Sequence, residues 1–239
     1  ETSCGECHSS VLRALGRSAH GGEAACADCH GGPHDIRPAD DFASAVSAVN
    51  QIKNCGRCHD TPASLVDGYL TSEHGKALLV SGLVDAPSCS DCHGDHRILA
   101  TDNDRAPSSH AHSPEMCGTC HGMLLESWQV ESAHGMGWVE GRDDVPVCTD
   151  CHSSHEIIDP ITAEARLKSA DTCGDCHAEY LTTFRATFHG QSSHLGLAAS
   201  ATCSDCHTSH ANLPADDPKS SVNPDNVVET CAQCHEGVT

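Results

Sequence analysis

Cys173-Gly174-Asp175-Cys176-His177 is one of nine C-x-x-C-H pentads in this chain; the others open at Cys4, Cys26, Cys55, Cys89, Cys117, Cys148, Cys203 and Cys231. The pattern suits covalent attachment of haem c. Its two thiols add across the two vinyl groups, and the adjacent His becomes an axial iron ligand. The two residues between the thiols match the vinyl separation, and the His follows at once because it must turn under a ring already fixed to its neighbours. The pentads consume all 18 cysteines, so no thiol is left for a disulfide. A zinc site would need two such pairs converging on one ion, and it gives no reason for a His after every second Cys. A thioredoxin-type pair occurs once, in a βαβ setting. The expected thioether anchors are Cys4 and Cys7, Cys26 and Cys29, Cys55 and Cys58, Cys89 and Cys92, Cys117 and Cys120, Cys148 and Cys151, Cys173 and Cys176, Cys203 and Cys206, and Cys231 and Cys234. The expected proximal ligands are His8, His30, His59, His93, His121, His152, His177, His207 and His235.

Nine such groups change how the composition reads. Only 3% of the 239 residues are aromatic, with three Phe, two Trp and two Tyr, which cannot fill an ordinary core. Shared among nine cofactors, the chain offers about 27 residues apiece. The porphyrins must therefore be the core and the polypeptide a thin wrap. The expected fold is mostly coil with short α-helices and little or no β structure: an elongated, haem-packed multihaem cytochrome c built from two-haem repeats.

The net charge of −21, from 34 acidic against 13 basic residues, excludes a nucleic-acid partner, which needs the opposite sign. Acidic runs such as Asp102-Asn103-Asp104 and Asp143-Asp144 read as solvated surface. No apolar run approaches the roughly 20 residues of a membrane span. The longest, Ala77-Leu78-Leu79-Val80, reads as a loop-length patch. Covalent haem attachment takes place on the outer side of the energised membrane, so the protein is expected to be exported, to the cell exterior or surface, with the periplasm as the alternative. The sequence starts at Glu1, three residues before Cys4, without a charged or apolar leader, as a mature chain would after signal-peptide removal.

The pentads pair into repeats over residues 1–40, 51–100, 113–160 and 169–214, with a truncated fifth unit at 227–239, along one continuous chain. Each repeat runs from an opening pentad through an apolar-periodic stretch to a Ser/Thr-x-His-Gly signature, then a loop, a closing pentad and a trailing His. The extra histidines are His20 and His34, His74 and His96, His134 and His155, and His189 and His210. Leu65, Val66, Tyr69 and Leu70 share a helical face, as do Leu124, Leu125 and Trp128, or Leu181, Phe184 and Phe188. The glycines after the first extra His (Gly21, Gly75, Gly135 and Gly190) suggest left-handed caps that present each His at a helix C-terminus.

These eight histidines are expected as distal ligands. A trailing His cannot bind the haem of its own pentad, because three residues cannot wrap around a porphyrin edge, so it must reach a neighbouring haem. The ninth haem then draws on His110, His112 or His194, and all nine irons can be bis-histidine. Two axial imidazoles leave no position for a substrate and favour low potentials. Met116, Met123 and Met136 share no repeat position and compete poorly as ligands.

The run C-x-x-C-H, helix, S-x-H-G, loop, C-S-D-C-H-G-x-H resembles the multihaem c-type cytochromes of metal-reducing and other anaerobic prokaryotes, some of which polymerise into extracellular cytochrome filaments. The resemblance implies Cys203 and Cys206 as anchors, His207 as proximal ligand, and His189 and His210 as distal ligands, with the same roles in every repeat. It implies long-range electron conduction. Repeat one departs from the pattern, with six residues from His20 to Cys26 against 14 or 15 elsewhere. Partners are expected to be other copies of the chain, joined head to tail through a distal ligand given across a boundary, or other redox proteins. A soluble periplasmic relay and the haem subunit of a membrane complex are the alternatives. A multihaem reductase is disfavoured: all nine pentads end in His, the chain is short for a substrate pocket, and no catalytic residue is expected.

Overall fold

The structure is a computed structural model that describes residues 2–59 and 64–238; Glu1 and Thr239, the outer limits of the first and last units, lie outside them. Among the described residues there are short helices, turns and coil, and no strand. The longest helices, Ala48–His59 and Ala163–Gly174, have 12 residues each. None is long and apolar enough to cross a membrane. The expected mixture of short helices and coil with little or no β structure is the one observed among the described residues.

The chain divides into two compact units. The first runs to Met116 and includes His152–Ile158; the second takes Cys117–Cys151 and the chain from Asp159 onward. Within both, the apolar-periodic stretches form the helices Ser64–Thr71, Gly122–Glu131 and Ala178–Ala186. Each ends where a Ser or Thr turns the backbone extended and caps the next helix. Ser72 Oγ accepts from the Gly75 N–H at 3.0 Å, Ser132 Oγ from His134 at 3.2 Å, and Thr187 Oγ1 from Gly190 at 3.1 Å.

This corrects the reading of S-x-H-G as a C-terminal cap. The signature starts a helix, as in Glu73–Gly75, Ala133–Val139 and Phe188–His194. Its glycine is not left-handed: Gly75 has φ −64°. Glycine is required because of a close approach. A Cβ at Gly75, Gly135 or Gly190 would lie 2.0 Å from the carbonyl oxygen of Tyr69, Trp128 or Phe184. The apolar run at Ala77–Val80 is also helical rather than loop, winding as one π turn over Lys76–Val80 that buries Leu78.

Side chains form little core of their own. The buried apolar residues described are Leu78, Ala86, Ala106, Trp128, Val145, Val147 and Ala170, three of them alanines. Met123, Leu195, Val80, Phe188 and Ile161 are 80% exposed or more. At roughly 25 cal/mol per Å² of apolar area buried, such a core is thin for a chain of this length. The apolar surface left uncovered by protein suits large planar groups packed against it.

Candidate haem sites

The nine pentads are presented in two ways. An opening pentad closes a helix: Thr2–Cys7, Ala48–His59, Ser113–Gly118, Ala163–Gly174 and Val227–Ala232. Its second residue is Gly in four of the five, and a branched side chain from the following helix sits on it. A Cβ at Gly5, Gly118 or Gly174 would meet Leu12, Leu125 or Leu181 at 2.5, 2.3 or 2.2 Å. A closing pentad is a helix in itself, five residues long: Cys26–His30, Cys89–His93, Cys148–His152 and Cys203–His207. Its third residue is always Asp. Asp28, Asp91, Asp150 and Asp205 each accept, at 2.7 Å, the N–H of the residue before the first Cys. A helix this short is held by its cap rather than by its length.

All 18 thiols are free of disulfides. Cys55 lies within hydrogen-bonding reach of Cys89, Cys117 of Cys148, and Cys173 of Cys203, so the first cysteines of the two pentads in a repeat adjoin. The shared hydrogen bond lowers the opening thiol, to about 7 for Cys55 and Cys117, and raises its partner. Between repeats, Cys29 feels Cys55 and Cys58, Cys151 feels Cys176, and Cys206 feels Cys231 and Cys234. Among the described residues, Cys4 and Cys26 make no such contact.

The imidazoles meet in pairs, each joining a pentad His to an extra His of another repeat. His20 faces His59 with ring centroids 5.8 Å apart and Nε2 atoms 3.5 Å apart. His30 stacks on His96 at 5.9 Å and His93 on His155 at 6.0 Å, both nearly parallel at 11° and 10°. His134 faces His177 at 6.1 Å, and His189 faces His235 at 5.8 Å. The last pentad thus meets His189, not His110, His112 or His194. His112 Nδ1 lies 3.2 Å from Glu115 Oε2, and His194 lines an open cavity with Arg185, Gln191 and Leu195. His8, His34 and His207 face no imidazole among the described residues.

Burial lowers the pKa of His30, His93, His134 and His155, and for the first three the facing imidazole lowers it further. All four are thereby held in the neutral, metal-ligating form. Ser108 Oγ lies 3.1 Å from His93 Nδ1, and the Asn212 amide 3.1 Å from His134 Nδ1. Contacts at Nδ1 orient a ring and leave Nε2 for a metal.

The extra histidines are placed by a recurring backbone clasp. The N–H of the residue before the S-x-H-G histidine donates to the carbonyl two residues past a trailing His: Ala19 to Ile98 at 2.7 Å, Glu73 to Ile157 at 2.8 Å, and Ala133 to Asn212 at 2.9 Å.

The donor set fits haem c. Each pentad supplies two thiols and an imidazole, and the paired rings are spaced as two ligands on one ion would be, with metal–imidazole bonds of about 2 Å. It does not fit zinc. Among the described residues, no group of three or more His, Cys, Asp or Glu could hold a metal ion by itself.

Residues 81–178 match the family described as cytochrome c3. That stretch holds the four pentads opening at Cys89, Cys117, Cys148 and Cys173. The match covers less than half of the chain and supports a multihaem c-type cytochrome that transfers electrons. No curated protein matches it.

Proposed function

We propose that all nine pentads carry haem c, that each iron takes two imidazoles, and that the chain conducts electrons over a long distance as the exported subunit of a head-to-tail polymer outside the cell. The observation that carries this reading is the set of five imidazole pairs, because each joins a pentad His to a histidine from a different repeat. When bound, haem c supplies a one-electron couple between ferrous and ferric iron.

The chain's own residues do the rest. The cysteines fix each porphyrin at two points. His20, His134 and His189 serve the opening pentads of the repeats that follow theirs, while His96 and His155 serve the closing pentads of the repeats that precede theirs. Ligands given forward and backward tie successive repeats together. The adjoining thiols, within repeats and between them, keep consecutive attachment points close, as electron hopping requires. At His134, Nε2 ligation requires a proton on Nδ1. The Asn212 amide then turns its oxygen to Nδ1–H and its nitrogen to Ser132 Oγ, the groups it already touches. His34, His112 and His194 are offered to the irons held by His8 and His207. The strongly acidic surface suits docking to basic redox partners.

Intact mass and a pyridine haemochrome assay test the count, with nine haems per chain expected. Electron paramagnetic resonance tests the ligation, with low-spin bis-histidine signals expected. Fewer than nine haems, or rapid carbon monoxide binding at most of them, would overturn the reading. Electron microscopy of the holoprotein tests the polymer, and separate particles at high concentration would sink it.

A further inference from the structure

The clasp that joins repeats inside the chain is left half-made at two places. Phe188 is the counterpart in repeat four of Ala19, Glu73 and Ala133, and its N–H donates to nothing among the described residues. His207, the counterpart of His30 and His93, faces no imidazole. Repeat one holds the complementary half. His34 is the counterpart of His96 and His155, and it too faces no imidazole. The Ile36 carbonyl, the counterpart of those of Ile98, Ile157 and Asn212, accepts nothing among the described residues. Exposure follows the same division. His30, His93, His96 and His155 are half-buried, whereas His34 and His207 are exposed. Ile36 is 54% exposed where Ile98, Ile157 and Asn212 are half-buried; on the donor side Phe188 is 80% exposed, where Glu73 and Ala133 are half-buried and Ala19 is exposed.

We infer that residues 34–36 of a second copy of this chain complete repeat four: His34 supplies the second axial imidazole to the iron held by His207, and Ile36 C=O accepts from Phe188 N–H. The inference rests on the proposed bis-histidine reading and names the joint of its polymer. Each copy gives at repeat one and receives at repeat four, so the contact is heterologous and does not close on itself by pairing.

Only the second half of repeat one takes part. Strict continuation of the repeat would superpose its opening pentad on Cys231–His235. Repeat one is where the internal spacing breaks: Cys26 stands six positions after His20, and among the described residues Cys4 and Cys26 lack the thiol contact made in repeats two to four. Its opening pentad is therefore not held where the others hold theirs.

The test uses the haem-loaded full chain, with sedimentation velocity for association and carbon monoxide titration for open coordination positions. Wild type is expected to associate, and on dilution to gain one carbon monoxide-reactive haem per dissociated copy. His34→Ala is expected to gain one such haem at every concentration and to lose the association. Free imidazole should block carbon monoxide in this variant without restoring association. Phe188→Pro removes the N–H at a helix position that tolerates proline, and should weaken association roughly fivefold relative to Phe188→Ala, as the loss of one hydrogen bond would. The inference is overturned if His34→Ala matches wild type in association and carbon monoxide stoichiometry, or if the wild-type stoichiometry does not change on dilution. His96→Ala separates the two readings. If it gains a reactive haem and His34→Ala does not, only the joint is wrong; if neither does, the imidazole pairing itself fails.

Discussion

The helix Ala163–Gly174 carries Cys173 in its last turn, whereas Cys203–His207 is the whole of its helix. Both present C-x-x-C-H, and both sit in repeat four. The opening pentad inherits its conformation from a helix already formed and needs only room for the next helix to lie across it, which Gly174 provides beneath Leu181. The closing pentad has no helix to inherit, so Asp205 caps it from within. One attachment chemistry thus rests on packing at one site and on a hydrogen bond at the other, and the two should fail differently.

Gly174→Ala is expected to have the largest effect. Its Cβ would lie 2.2 Å from Leu181 Cδ2 and 2.9 Å from Leu181 Cβ, so rotating the end of the side chain cannot relieve the clash. A cost of about 2–3 kcal/mol follows, read as a fall in Tm of the holoprotein. Adding Leu181→Ala should recover part of the loss. Gly122→Ala, where a Cβ meets nothing within 4 Å, should be neutral or slightly stabilising. If the two glycines behave alike, packing is not what shapes the opening pentads.

Asp91→Ala should cost less, about 1–2 kcal/mol, because it removes a cap. Asp91 Oδ2 accepts from both the backbone N–H and the Oγ–H of Ser88, each at 2.7 Å. The loss should show first as protection lost by amides of Cys89–His93 in hydrogen exchange, before any global change. Equal loss across repeat two would argue against a local cap.

Much of this was legible in the sequence, for reasons that residues make plain. A pentad fixes its own chemistry, and the helical faces around Leu65, Trp128 and Leu181 are periodic enough to read. The direction of the S-x-H-G histidines was not legible. Their Ser or Thr signals an N-cap, but the Gly requirement comes from a carbonyl six or seven residues earlier, and that approach exists only once the chain has turned. Which imidazole meets which is also tertiary: spacing shows that a trailing His must leave its own haem, not where it goes. The Gly of opening pentads and the Asp of closing ones were visible as a pattern, yet their roles depend on whether a helix precedes the first Cys.

A smaller effect separates the closing pentads from one another. The residue after the pentad has positive φ in all four, being Gly31 at 81°, Gly94 at 78°, Ser153 at 59° and Thr208 at 61°. With ψ 165°, Thr208 occupies a region that glycine enters at little cost and a β-branched residue does not. Thr208→Gly should stabilise the holoprotein by about 1 kcal/mol. Gly94→Thr should destabilise it by a similar amount, and a rise in Tm for the latter would refute the strain.

The smallest expected effect is the charge of the cap itself. Burial pushes the Asp205 pKa up, but hydrogen bonds from the Thr202 N–H and hydroxyl, together with the Arg166 guanidinium 3.1 Å away, more than offset it, and the net shift is downward. A carboxylate lowered on folding stabilises the protein above the ordinary carboxylate range near pH 4, and that contribution is lost as pH falls through the lowered value. Asp205→Asn keeps an acceptor for Thr202 but gives up the charge facing Arg166, so it should cost about 0.5 kcal/mol at pH 7, the scale of a partly exposed ion pair. The gap from wild type should close as the solution is acidified below pH 4. A gap that stays constant with pH would mean that Asp205 acts only as a neutral cap and that Arg166 contributes through its hydrogen bond to the Ala198 carbonyl instead.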